Sequence, residues 1–160
     1  MKIKFFTTGG TIDKVYFDAK SEFEVGEPQV REVVENSNVA FEYEVESILR
    51  KDSLDMTDAD RQLVRKRIES EPCQLVVVTH GTDTVIETAK VLCGISQKTI
   101  VLTGSMQPAR FRVSDATFNI GFAIGAVQSL RPGVYIAMNG CIFDPNRVRK
   151  NREKNRFELI

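Results

Sequence analysis

Histidine is almost missing from this sequence: His80 is the only one among 160 residues. A metal site built from several imidazoles is therefore excluded, and His-based zinc hydrolysis with it. Tryptophan is absent, and the three cysteines, Cys73, Cys93 and Cys141, are odd in number and lack CxxC spacing. That excludes a disulfide framework and fits a reducing compartment. No apolar run approaches the roughly 20 residues that span a bilayer. The stretch Met1–Thr8 is too short for the apolar core of a secretory leader, so the expectation is a cytoplasmic protein with no membrane partner. An excess of either charge is missing too, because 22 Lys+Arg balance 22 Asp+Glu. Without a broad cationic field, nucleic acid is not an expected partner. Neither GxGxxG nor GxxxxGK[ST] occurs, which removes the two common phosphate cradles. No cofactor and no metal are expected.

What the chain does have is the composition of a globular domain, with 42% hydrophobic and 28% charged residues. Its length predicts one domain over residues 1–160, able to bury roughly two thirds of its unfolded surface. Short β-branched or aromatic runs predict strands near Lys2–Thr8, Phe41–Leu49, Leu75–His80, Thr99–Thr103 and Gly133–Asn139. Between them, amphipathic stretches predict helices near Pro28–Glu35, Ala59–Glu71, Thr84–Cys93 and Ser114–Leu130, the second announced by the Thr57–Asp60 capping pattern. The continuous run Leu75-Val76-Val77-Val78 is that of a strand covered on both faces. The alternation predicts an α/β fold of three layers, a mostly parallel Rossmann-like sheet with helices on both faces. One segment stands apart. Arg147–Arg156, RVRKNREKNR, carries six Arg or Lys and one Glu; it reads as a solvated, partly helical tail that could also hold an anion or an active-site lysine.

Ligands of open parallel sheets bind at the carboxyl ends of the strands. Three of those ends are glycine-containing and dense in hydroxyls: Thr7-Thr8-Gly9-Gly10-Thr11-Ile12, Thr79-His80-Gly81-Thr82-Asp83-Thr84 and Leu102-Thr103-Gly104-Ser105-Met106. Each alone is an ordinary turn with a helix cap; together they suggest a polar small-molecule site. Thr11 and Thr82 each directly follow a glycine. A threonine hydroxyl is a weak nucleophile that needs a neighbouring base. A lysine desolvated beside Asp83 could be that base. Such a Thr–Asp–Lys cluster suits acyl transfer from an amide.

The segments Thr8-Gly9-Gly10-Thr11-Ile12 and His80-Gly81-Thr82-Asp83-Thr84 resemble the two signatures of the bacterial-type L-asparaginases. Asp52-Ser53-Leu54-Asp55-Met56, Leu102–Pro108, Asp115, Phe118-Asn119 and Met138-Asn139 follow in family order. The resemblance implies the asparaginase amino-terminal domain fold, and a substrate that is a small amino-acid amide. It implies that Thr11 attacks the side-chain amide, that Thr82 and Asp83 form the second threonine and its aspartate, with Asp83 pairing the substrate ammonium, and that Ser53 holds the α-carboxylate. Counted from Met138, the family's lysine is Lys150, whereas Lys154 reads as a surface residue.

Departures are informative as well. Where the family has an assisting tyrosine, this chain has Phe23, and Tyr16 is the nearby phenol that either substitutes for it or simply packs. Leu54 stands where a polar substrate-facing residue is common. The resemblance covers only the amino-terminal domain of usual members, so the expectation is a catalytic domain without the carboxyl-terminal one. A site that normally borrows from a neighbouring subunit implies a homo-oligomer. The expected activity is hydrolysis of L-asparagine to L-aspartate and ammonia; glutamine or another small amide, and a non-catalytic amino-acid-binding module, are the alternatives.

Overall fold

Every predicted strand and helix forms within a residue or two of its expected bounds, and the additional elements are short β-strands and two 3-10 turns. In the computed structural model, which describes residues 1–160, the chain runs β1 (Lys2–Gly9), β2 (Lys14–Phe17), β3 (Glu22–Val25), α1 (Gln29–Asn36) and β4 (Glu42–Lys51). It continues through α2 (Asp58–Ser70), β5 (Leu75–Thr79), α3 (Val85–Leu92), β6 (Thr99–Thr103) and α4 (Ala116–Ser129). It ends with β7 (Gly133–Met138), β8 (Cys141–Phe143), β9 (Val148–Asn151) and β10 (Arg156–Leu159). The 3-10 turns follow β1 at Thr11–Asp13 and β4 at Ser53–Asp55. The Thr57–Asp60 capping box that opens α2 is complete in both directions.

Six strands form the central sheet in the order β4-β1-β5-β6-β7-β8. All neighbours are parallel except β8, which folds back antiparallel on β7. Alternating side chains feed two cores, because successive residues of a strand face opposite sides. Phe6, Val76, Val78, Ile100, Leu102 and Met138 join Val64, Ile68, Val85 and Leu92 of α2 and α3. Ile3, Phe5, Val77, Val101 and Ala137 join Val30 and Val34 of α1 and Ile120, Ala123 and Val127 of α4. The sheet is thus covered on both faces, as the Leu75–Val78 run predicts.

The topology places the site. From β1 the chain crosses to β4 through α1 on one face, then returns past β1 to β5 through α2 on the other. The winding therefore reverses between β1 and β5, and at such a switch point the loops part to leave a crevice beyond the strand ends.

One local expectation is overturned. The basic stretch Arg147–Arg156 is not a partly helical tail: it forms β9, the turn after it and the first residue of β10, with which β9 pairs antiparallel in register Lys150↔Phe157. Alternation explains this, since Val148 and Phe157 are buried in the core while Arg149 faces out against Glu158. A count of charges hides two apolar anchors.

Candidate active site

The loops after β1 and β5 touch backbone to backbone, and glycine is what lets them. Gly10 has φ +89°, a left-handed conformation, and a Cβ there would overlap the backbone of Gly81. On its other side, a Cβ at Gly81 would collide with the side chain of Ser53, in the turn after β4. Three chain segments far apart in sequence are thereby drawn to one point. Hydrogen bonds hold the arrangement: Gly10 N donates to Lys51 O at 2.9 Å, Thr8 Oγ1 to Thr79 O at 3.1 Å, and Thr84 Oγ1 to Ser53 O at 2.7 Å.

His80 belongs to this scaffold. It is fully buried, its Nδ1 lies 2.8 Å from Gly81 O and its Nε2 2.8 Å from Thr88 Oγ1. A carbonyl oxygen can only accept, so Nδ1 carries the proton and Nε2 accepts from the threonine. Burial pushes its pKa down to about 4, which keeps the ring neutral. Its work is to hold the Gly81 loop.

Lys150 meets Thr82 and Asp83. Its Nζ donates to Thr82 Oγ1 at 2.8 Å and to Asp83 Oδ1 at 2.8 Å. The three residues come from β9 and from the loop after β5, and a chain of contacts brings them together. Asp115, beside α4, accepts from the backbone N–H of Met106 and Gln107. Asn119 of α4 donates to Asp115 and to Gly104 O, and accepts from Asn139 N. Asn139 in turn accepts from Phe157 N of β10 at 2.9 Å, and Phe157 lies opposite Lys150 in the ladder. The Met138-Asn139 corner therefore fixes the hairpin that carries the lysine.

The other expected residues fall as follows. Thr11 opens the 3-10 turn directly after Gly10 and is half-buried. Thr82 is buried and Asp83 half-buried. Ser53 is buried against Gly81, while neighbouring Leu54 is exposed. Tyr16 is an exposed residue of β2. It is opposite Phe23 of β3, with ring centroids 5.4 Å apart, and Phe23 rests on Phe111 at 5.8 Å. The contacts of the phenol ring are aromatic ones. Lys154 is exposed, as expected.

Sequence reasoning missed several charged neighbours. Arg152 reaches Asp83 Oδ1 at 3.5 Å from the first position of the β9–β10 turn, a place that strand alternation does not mark. Lys14 pairs with Asp52 at 2.8 Å, and this bond, with Lys150 adding to it, lowers the Asp52 pKa. Asp13, two residues after Thr11, accepts from Gln29 N at 2.8 Å, and burial raises its pKa to about 7. No spacing rule marks Asp13, since its burial arises from α1 closing over it.

With this geometry in view, the likeness to known proteins covers both sequence and shape. The family model described as "Asparaginase, N-terminal" matches residues 2–158. The glutaminase-asparaginase of Acinetobacter glutaminasificans is 34% identical over 129 residues, which are 77% of this chain and 38% of that protein. L-asparaginase 2 of Escherichia coli is 31% identical over 164 residues, covering 92% of this chain and 46% of its own. The solved thermostable L-asparaginase from Thermococcus kodakarensis superposes with a TM-score of 0.86 at 26% identity, covering 100% of this chain and 51% of that one. The chain thus spans about half the length or less of the relatives it matches. It belongs to the asparaginase family, by that family's N-terminal domain.

Proposed function

We propose that the protein is an amidohydrolase that cleaves L-asparagine to L-aspartate and ammonia through a threonine ester. The observation that carries this reading is the bridging position of Lys150, in hydrogen-bond contact with both Thr82 and Asp83, beside the loop that presents Thr11. In the first step Thr11 Oγ1 adds to the side-chain amide carbon and its proton passes to the leaving nitrogen. The C–N bond breaks, ammonia departs and an ester remains on Thr11. In the second step, Lys150 in its free-amine form accepts the Thr82 proton while Thr82 takes one from water. The hydroxide adds to the ester, and the acid leaves as Thr11 recovers its proton. Ser53 is assigned to the substrate carboxylate, and Asp83 to its ammonium.

A coupled ammonia assay on the purified chain, with L-asparagine and L-glutamine in parallel, tests the reading. Thr11→Ala and Thr82→Val are each expected to reduce kcat by about 10³-fold or more, since a nucleophile and its relay act as one unit. Full activity in either variant would sink the mechanism. The glutamine arm is needed because one methylene is worth only about 1–3 kcal/mol of discrimination. The proposal includes a cytoplasmic location, which the three unpaired thiols support, and a homo-oligomeric state.

A further inference from the structure

A substrate held at one end by Ser53 and attacked at the other by Thr11 requires those two residues at a set distance. They stand on different 3-10 turns, Thr11–Asp13 after β1 and Ser53–Asp55 after β4. On the sheet side the turns are joined by the bond from Gly10 N to Lys51 O, 2.9 Å long. That joint can pivot, because Gly9 and Gly10, at φ +96° and +89°, carry no Cβ to restrict rotation. Other bonds hold each turn to a third element. Ala109 N donates to Ile12 O at 3.1 Å, Gln29 N to Asp13 at 2.8 Å and Thr84 Oγ1 to Ser53 O at 2.7 Å. None of these joins the two turns.

An ion pair adds a second link between them. Lys14 directly follows the first turn, and its backbone N–H donates to Thr11 O. Its Nζ lies 2.8 Å from Asp52 Oδ2. The other oxygen of that carboxylate, Oδ1, accepts from Leu54 N at 3.1 Å and so caps the second turn. Lys14 thus grips the Thr11 turn by its backbone and the Ser53 turn through Asp52. The two side chains are 28% and 31% exposed, so salt screens them less than a fully solvated pair.

We propose that Lys14 is a positioning residue that sets the span between Thr11 and Ser53, and with it the length of amide the site accepts. The favoured class is the four-carbon amino-acid amide over its five-carbon homologue. This assignment rests on the amidohydrolase reading for its substrate, but the span can also be measured without turnover. With the pair in place, an extra methylene carries the amide carbon past Thr11, and a misplacement of about 1 Å can cost on the order of a hundredfold in rate. With the pair broken, the turns pivot about Gly10. The shorter amide then loses its alignment while the longer one gains room.

Steady-state rates of the full chain with L-asparagine and L-glutamine, on the parent, Lys14→Met and Lys14→Arg, read this selection. In Lys14→Met the asparagine-to-glutamine ratio of kcat/KM is expected to fall about fivefold, the factor that a partly exposed ion pair worth about 1 kcal/mol makes in a rate. The loss with asparagine should lie in kcat, because the carboxylate still binds and only the reach to Thr11 changes. Lys14→Arg keeps a cation for Asp52 and should keep the parent's ratio. An unchanged ratio in Lys14→Met, an equal loss with both amides, or an equal fall in Lys14→Arg would each overturn the assignment. Calorimetric titration with the product acids, L-aspartate and L-glutamate, reads the same span without chemistry. The parent is expected to bind aspartate more tightly, and Lys14→Met to narrow the difference; binding of neither acid, or an unchanged difference, would also overturn it. A narrowed difference with no ammonia from either amide would leave Lys14 in its role and remove the hydrolase reading instead.

Discussion

Two buried titratable residues near the site oppose one another as pH changes. His80 is neutral in the folded protein, with its pKa lowered from 6.5 to about 4 by burial. Between those values the unfolded chain binds the extra proton, so stability falls as pH falls. Asp13 is raised by burial from 3.8 to about 7. There the folded chain binds the extra proton, so stability falls as pH rises through that window. The two slopes offset each other between about pH 4 and 6.5. Asp13→Asn keeps an oxygen to accept from Gln29 N and removes one of the two titrations. Its stability is expected to rise with pH from 4 to 6.5 by up to about 3 kcal/mol, since a tenfold change in proton affinity is worth roughly 1.4 kcal/mol. At pH 8 it should exceed the parent by up to about 4 kcal/mol, the cost of ionising a buried carboxyl. Urea unfolding at pH 4.5, 6 and 8 checks both statements, and parallel profiles for the two proteins would contradict them. Neither residue's part is visible in composition. His80 reads as the one imidazole of a motif, yet its partners Gly81 O and Thr88 make it a scaffold residue.

At the scale of elements, the hairpin β9–β10 determines whether Lys150 reaches Thr82. It is attached to the main sheet's last parallel strand by Asn139 accepting from Phe157 N, and by the buried Phe157 and Val148. Asn139→Ala removes that acceptor while keeping the backbone N–H that donates to Asn119. The N–H of buried Phe157 is then unmet, which costs on the order of 1–3 kcal/mol. The expected outcome is a lower kcat with the central sheet intact, seen as an unchanged far-UV spectrum beside faster hydrogen exchange in residues 148–159. Exchange as slow as in the parent would show that the apolar anchors alone suffice. The hairpin also illustrates how local patterns mislead. Six cations among ten residues suggest a solvated tail, and only the position of two apolar side chains, one on each strand, shows otherwise. The β2–β3 hairpin is illegible in sequence for a related reason. Its strands are four residues each, too short for alternation to stand out, whereas the longer core strands announce themselves.

For the molecule as a whole, charge balance hides an uneven distribution. Lys14, Lys150 and Arg152 gather at the site against Asp52 and Asp83, so the charged groups of a ligand are expected to bind there in a salt-dependent way. Apolar side chains are also left outside the two cores, among them Val113, Phe118 and Ile142. Phe118 stacks on Phe122 with ring planes 3° apart and lies beside Gly140, next to the edge strand β8. An exposed apolar face next to a sheet edge suits association with another copy. Light scattering at micromolar concentration is expected to give a multiple of 18.0 kDa, and Phe118→Glu to lower it. A parent mass of 18.0 kDa would remove the oligomer from the proposal.

The sequence by itself determined the layered α/β architecture, because strand and helix periodicities are local and strong here, and a parallel sheet needs apolar residues on both its faces. It also determined which strand ends carry hydroxyls, through motifs whose glycines permit close backbone approach, and the family resemblance singled out Lys150. Tertiary structure alone decided which charges meet: Arg152 on Asp83, Lys14 on Asp52, and Asp13 closed in beneath α1. Those encounters join residues from separate elements across the switch point between β1 and β5. Electrostatic energy depends on such distances and on burial, and neither quantity exists along an unfolded chain.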